Sequence, residues 1–275
     1  MNDLLRKSLK DLRSHLYEGI LGAIRSLLSL QDELHFLCQC AGYIRKLTDS
    51  HLPLVFPEPA AYTEITALAN PLLLEKCRAS AIVANDLSFT ENAHLYVLTG
   101  PNSGGKTVYT TAVGTAQILF QLGLPVPARS AVMQPYHTLV THFICETRRE
   151  TESRLANEAS RLKEALEQVD AHTLFLLDET FSSTSAYDGL YLAEALLKYL
   201  LQTGCHCIYV THLHGLSERI ISMQEAGETR VQMLSALAES GRRTYRIVRT
   251  DKNPLPTSLA EDIIRENGLG FLLES

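Results

Sequence analysis

The stretch TGPNSGGKT, residues 99–107, constrains this chain more than any other. It fits the pattern G-x-x-x-x-G-K-[ST] from Gly100 to Thr107, and it stands between an apolar run, HLYVLTG at 94–100, and a helical period from about residue 105. A strand that enters a helix through a glycine-rich turn points successive backbone N–H groups inward. The helix N-terminus adds a favourable dipole, so the loop suits phosphate oxygens. Gly100, Pro101, Asn102, Ser103, Gly104 and Gly105 are therefore expected to wrap the phosphates of ATP, with Lys106 reaching the β- and γ-phosphates and the Thr107 hydroxyl ligating Mg²⁺. The competing reading, a glycine-rich turn with a surface lysine, fits the flanking strand and helix less well.

The rest of the chain beyond residue 60 alternates short apolar runs with helical periods. Helices are expected at about 105–122, 153–169 and 188–203, and strands at TLFLLDE (173–179) and CIYVTH (207–212). Continuous apolar strands separated by helices predict α/β architecture of the P-loop NTPase kind, a mostly parallel sheet flanked by helices. TRVQMLSAL and RRTYRIVR, on either side of Glu239-Ser240-Gly241, predict a β-hairpin. Ser258 with Glu261 predicts a capping box opening a last helix that stops at Gly268.

The first fifty residues follow another rule. Leu5, Leu9, Leu12, Leu16, Ile20, Ile24 and Leu27 recur every three or four positions with charges between them, which predicts one long amphipathic helix or two in series, with Gly19 and Gly22 as weak points. HLPLVFPEP, residues 51–59, contains three prolines and reads as a linker. The expected organisation is a helical segment at 1–50, a linker at 51–60 and a P-loop domain at 61–275.

Composition narrows the classes further. No apolar run approaches the ~20 residues that span a bilayer, and the amino terminus lacks the features of a secretory signal, so a cytoplasmic protein without membrane contact is expected. Cys38, Cys40, Cys77, Cys145, Cys205 and Cys207 read as reduced thiols. A zinc reading of Cys205-His206-Cys207 lacks a second ligand pair, and the stretch reads as a buried strand with both cysteines on one face. The net charge of -6 argues against unaided duplex binding. Arg242, Arg243, Arg246, Arg249 and Lys252 can touch phosphate or simply form a solvated strand face.

Two further elements carry chemistry. In LFLLDE a buried strand ends in Asp178 and Glu179: an aspartate there can hold Mg²⁺ through water, and the next carboxylate can orient or deprotonate an attacking water. His212 ends a later strand, where an imidazole can donate a hydrogen bond to a γ-phosphate. Each is ambiguous alone, as a solvated carboxylate pair or a structural histidine, and their order after the glycine-rich loop favours the functional reading.

Together these stretches resemble the ATPase domain of the MutS family, the ABC-class ATPases of DNA mismatch repair and its relatives. TGPNSGGKT is similar to the family's TGPN-x-GGK-[ST] loop, DETFSSTSAYDG (178–189) to its DE-xxx-GTS-xYDG segment, and VTHLHGL to its switch region. ITALANPLL and IVANDLSF resemble the family's lead-in to the loop. Ser153-Arg-Leu-Ala-Asn-Glu158 is similar to the S-T-F-x-x-E signature helix, which in the family acts on the opposite subunit's γ-phosphate. The resemblance thus implies a homodimer with a composite site in which Ser153 works in trans; the plain alternative is a cap residue on an ordinary helix.

The departures also carry expectations. Ile82 stands where the family usually has an aromatic residue against the adenine, and Phe181-Ser182-Ser183 replaces the turn after the catalytic carboxylate, as in a divergent branch. Nothing in the chain resembles the mismatch-reading, connector or clamp domains, so DNA contact is expected only through missing or partner regions. A helix-turn-helix extension is expected to be short or missing, and dimerisation without nucleotide weak. The implied activity is Mg²⁺-dependent ATP hydrolysis coupled to DNA transactions. The alternative is a nucleotide-gated dimerisation module with negligible hydrolysis; a transporter motor lacks its L-S-G-G-Q signature.

Overall fold

The computed structural model describes residues 2–143, 154–181, 184–213, 215–239 and 242–250. The expected last helix, with Ser258 and Glu261, lies outside them, as does Ser153. The chain divides into two compact units, Met1–Asp49 and Ser50–Ser275.

The first unit is a single helix, α1 (Asn2–Asp49), which runs through Gly19 and Gly22 without a break. Its 48 residues extend about 72 Å at a rise of about 1.5 Å each. Along it Leu9, Leu12, Leu16, Ile20, Ile24 and Leu27 are all exposed.

In the second unit the strands form two sheets. The larger contains β4 (Leu95–Thr99), β6 (Thr138–His142), β7 (Thr173–Asp178), β8 (His206–Val210), β9 (Val231–Glu239) and β10 (Arg242–Thr250) in the order β10-β9-β4-β8-β7-β6. Every pairing is parallel except β9 with β10, which is the antiparallel hairpin expected from the sequence. Helices α2 (Lys106–Gln121), α3 (Arg154–Leu166), α4 (Ala186–Thr203) and α5 (Gly215–Glu225) flank it. Because successive strand residues point to opposite faces, a sheet covered on both sides needs unbroken apolar strands, and TLFLLD of β7 is buried at every position. Leu95, Val97, Phe175, Leu177, Cys207 and Tyr209 form one core with Leu162 of α3, Leu196, Leu197 and Leu200 of α4 and Ile220 of α5. On the other face α2 packs on β7 and β8. A Cβ on Gly114 of that helix would stand 2.9 Å from a terminal methyl of Leu176, so a larger residue there would require the leucine side chain to shift.

The smaller sheet was not expected. It joins β1 (Glu58–Pro59), β2 (Thr63–Leu68), β3 (Asn85–Phe89) and β5 (Ser130–Met133) in the order β1-β5-β2-β3 and is mostly antiparallel. Its strands are short, and β2 and β5 alternate buried and exposed positions too briefly to stand out in the sequence. β1 falls in the proline-rich stretch that reads as a linker. There Val55 and Val126 exchange backbone hydrogen bonds of 3.1 and 2.8 Å, so the stretch is pinned to the second unit. Phe89 of β3 packs on Tyr96 of β4, ring centroids 5.3 Å apart, and links the two sheets.

Cys205 and Cys207 are wholly buried, and Cys38, Cys40, Cys77, Cys205 and Cys207 are all free thiols. Among the described residues no group of three or more His, Cys, Asp or Glu side chains is placed to hold a metal, and no helix is long and apolar enough to cross a membrane.

Between the cysteines, the His206 ring sits edge-on to Phe89, His94 and Tyr136 at centroid distances of 5.2, 5.7 and 5.3 Å. Burial, aided by the neighbouring His94, lowers its pKa from 6.5 to about 4. Well above pH 6.5 the group is neutral in both states. As pH falls towards 4 the unfolded chain takes up a proton that the folded chain refuses, and stability is lost by up to about 3 kcal/mol. Denaturant midpoints measured from pH 7 to pH 4 should therefore fall less steeply for His206→Phe than for the native chain; equal slopes would remove His206 from the acid response.

Candidate active site

The strand order places β8 between β4 and β7, so the carboxyl ends of three adjacent parallel strands meet at one edge. Residues 99–107 leave β4 there, Asp178 and Glu179 end β7, and His212 follows β8. This is the crevice where open α/β sheets bind ligands.

The glycine-rich loop is fixed by sterics as much as by hydrogen bonds. Gly100 has φ +126°, and a Cβ there would stand 2.8 to 2.9 Å from the backbone and side chain of Ala236 in β9. Lys106 is 5% exposed, and its Nζ donates to the carbonyls of Gly100 at 2.9 Å and Pro101 at 3.0 Å. Burial lowers the pKa of this ammonium, and the nearby Glu179 and Asp178 oppose the shift. The lysine thus spans its own loop, its charge held beside both carboxylates.

Thr107 Oγ1 donates to Asp178 Oδ2 at 2.7 Å. Asp178 Oδ1 is buried with no hydrogen-bond partner. Burial raises the pKa of this carboxyl, offset by the Thr107 hydrogen bond and by Lys106. A buried carboxylate oxygen without a donor is costly, and beside a hydroxyl it matches the hard-oxygen preference of Mg²⁺, which typically takes only one or two protein ligands.

Glu179 adopts φ +56° and Phe181 φ +67°, left-handed conformations that cost non-glycine residues about 1–2 kcal/mol each. Several hydrogen bonds hold this turn. The Glu179 amide donates to Val210 O at 2.9 Å, Tyr209 OH donates to Thr180 O at 3.2 Å, Thr180 Oγ1 meets His142 Nδ1 at 3.3 Å, and the Phe181 amide donates to Glu158 Oε1 at 2.5 Å. The Glu179 carboxylate is hydrogen-bonded to His212 Nε2. Downstream, Ser185 caps α4, its hydroxyl accepting from the Asp188 amide at 3.2 Å and donating to the Asp188 carboxylate at 2.7 Å.

A cavity of about 500 Å³ opens beside the loop. Ser103, Gly104, Gly105, Lys106, Thr107 and Glu179 form its polar side, and Leu68, Leu73, Val83, Ala112 and Tyr245 are among its apolar lining. Gly100, Pro101 and Asn102 do not line it, and neither does half-buried Ile82, whose neighbours Ala81 and Val83 do. Asp178 stands beneath the cavity, joined to it through Thr107.

Three contributors went unrecognised in the sequence. Asn85 binds both sides of a β10 bulge, donating to Tyr245 O at 3.1 Å and accepting from the Ile247 amide at 2.7 Å, and so presents Tyr245 beside Gly105. Asn70 donates to Val108 O at 2.8 Å and braces the start of α2. Both lie in the two lead-in stretches already singled out. Only the position of Tyr245, left-handed at φ +58°, had no sequence signal, because a lone tyrosine in a hairpin strand is ordinary.

The model of MutS domain V matches residues 96–251, which hold every site residue named above from β4 onwards. The chain belongs to the MutS domain V family. Among its relatives, the DNA mismatch repair protein MutS of Prochlorococcus marinus (strain MIT 9301) is 35% identical over 157 residues, 56% of this chain and 17% of that protein. The protein of the same name from Shouchella clausii (strain KSM-K16) is 30% identical over 174 residues, 62% of this chain and 20% of that protein. The match thus spans about a fifth of the length of these relatives. Within this MutS domain V chain, the loop, the β7 carboxylates and His212 stand together at one sheet edge.

Proposed function

We propose that this chain is the ATP-binding and ATP-hydrolysing part of a MutS-type system of DNA mismatch repair or a related DNA transaction. The observation that carries the reading is the Thr107–Asp178 hydrogen bond beneath the loop, with Asp178 Oδ1 left without a protein donor. The loop amides and Lys106 hold the phosphates, and the apolar end of the cavity, with Tyr245, receives the base. Thr107 and Asp178 would hold Mg²⁺. When bound, that ion supplies charge neutralisation on the phosphate oxygens. Glu179 orients the attacking water and accepts its proton, and His212, hydrogen-bonded to Glu179, turns to the γ-phosphate. Ser153 of a second copy completes each site, so the working unit is a homodimer, and DNA is reached through other regions or partners.

A second reading, nucleotide-gated dimerisation with negligible hydrolysis, draws support from the Glu179 carboxylate, which His212 already engages. ATP turnover with Mg²⁺, measured against protein concentration, separates the two. Turnover per chain that rises with concentration, and is partly rescued on mixing Ser153→Ala with Glu179→Gln, supports the composite site. Concentration-independent turnover overturns the dimer requirement, and tight ATP binding without turnover selects the gated module.

A further inference from the structure

Of the hydrogen bonds that hold the strained turn after Glu179, three come from strands beside β7. Val210 and Tyr209 belong to β8 and His142 to β6, and both strands are fixed to β7 by parallel ladders. The fourth comes from a helix: Glu158 of α3 accepts from the Phe181 amide at 2.5 Å. Phe181 is anchored to the same helix by its ring, which is 7% exposed and shares an apolar groove with Ala159 and Leu162. Arg161, further along α3, donates to Phe143 O at 3.2 Å at the end of β6. A carboxylate acceptor makes the Phe181 bond charge-assisted and roughly twice as strong as a neutral one, enough to help hold a left-handed residue in place. Sheet strands move together, whereas a helix can shift as a body by an ångström or two.

We infer that Glu158 is a positioning residue that ties α3 to the turn carrying Glu179 through the Phe181 amide, so that each chain's own α3 and its own reacting carboxylate move as a linked pair. The inference rests on the proposed ATPase reading. If the amino-terminal end of α3 serves a partner's site, as proposed for Ser153, the link lets the state of one site reach the other without a contact between the two nucleotides.

The test uses the full chain with Glu158→Ala, Glu158→Gln and Glu158→Asp, and three readouts: MgATP affinity, turnover, and amide hydrogen exchange of Arg154–Leu166 with and without MgATP. Native protein should show MgATP-dependent exchange in α3. Glu158→Ala should bind MgATP within about threefold of native, lose turnover about 10- to 100-fold, in the range assigned to a mispositioned proton acceptor, and lose the MgATP response of α3. Glu158→Gln keeps an acceptor oxygen at the same reach and should recover most of both. Glu158→Asp is too short and should behave as the alanine variant, which leaves a result in hand if alanine fails to fold. Native-like behaviour of Glu158→Ala or Glu158→Asp, equal impairment of Gln and Ala, or no MgATP response of α3 in the native chain overturns the inference. If the native chain binds MgATP without turning it over, the hydrolysis reading falls alone and the exchange response still decides the coupling. If it does not bind MgATP, both fall.

Discussion

Lys106→Ala is expected to weaken MgATP binding by at least about 30-fold, equivalent to about 2 kcal/mol, the lower end of the cost of deleting one partner of a buried charge pair. In the structure the ammonium is nearly enclosed and bonded to the Gly100 and Pro101 carbonyls, so its removal takes away a brace of the loop as well as the proposed phosphate contact. Lys106→Met separates these effects, because it keeps most of the apolar stem and discards the charge. Equilibrium binding of MgATP, alongside thermal unfolding, should show both variants impaired in affinity and the methionine variant closer to native in stability. Affinity within about threefold of native for Lys106→Met would mean that the lysine is a structural strut and the phosphates lie elsewhere.

Glu179→Gln is expected to leave MgATP affinity within a few-fold of native and to lower turnover by about 10²- to 10⁴-fold, the usual contribution of a positioned proton acceptor. Glutamine preserves the length of the side chain and an oxygen for His212, and it leaves the left-handed backbone and the amide bond to Val210 as they are. What it lacks is basicity. Binding without turnover should accumulate an ATP-bound dimer, visible as a larger species in size-exclusion chromatography when MgATP is present and absent without it. Turnover within about threefold of native would remove Glu179 from the base role and leave it as the holder of His212.

Much of the site was legible in the sequence because its chemistry is local. The loop needs glycine at Gly100, where any Cβ strikes Ala236, and a lysine and a threonine at fixed offsets. Asp178 and Glu179 end a strand buried at every position, and such a strand is an unbroken apolar run whatever surrounds it. The hairpin at β9 and β10 and the long α1 were readable for the same reason, through period and turn residues. The small sheet was not, since β1, β2, β3 and β5 are short and pair with partners far along the chain, and a proline-rich stretch gives no sign that Val55 will find Val126. β6 and α5 were likewise not singled out.

Sequence alone therefore determined the residue types of the glycine-rich loop, the strand-end carboxylates and the α/β alternation that implies a mostly parallel sheet, because each follows from backbone geometry within a few residues. Tertiary structure decided how they combine. Inserting β8 between β4 and β7 brings Thr107 within 2.7 Å of Asp178 and His212 onto Glu179. Asn85 turns Tyr245 to the cavity that Ile82 does not line, and Glu158 reaches from α3 to the Phe181 amide. Such contacts depend on strand order, a bulge and helix placement, which come from packing the whole core at once, and no local pattern encodes them.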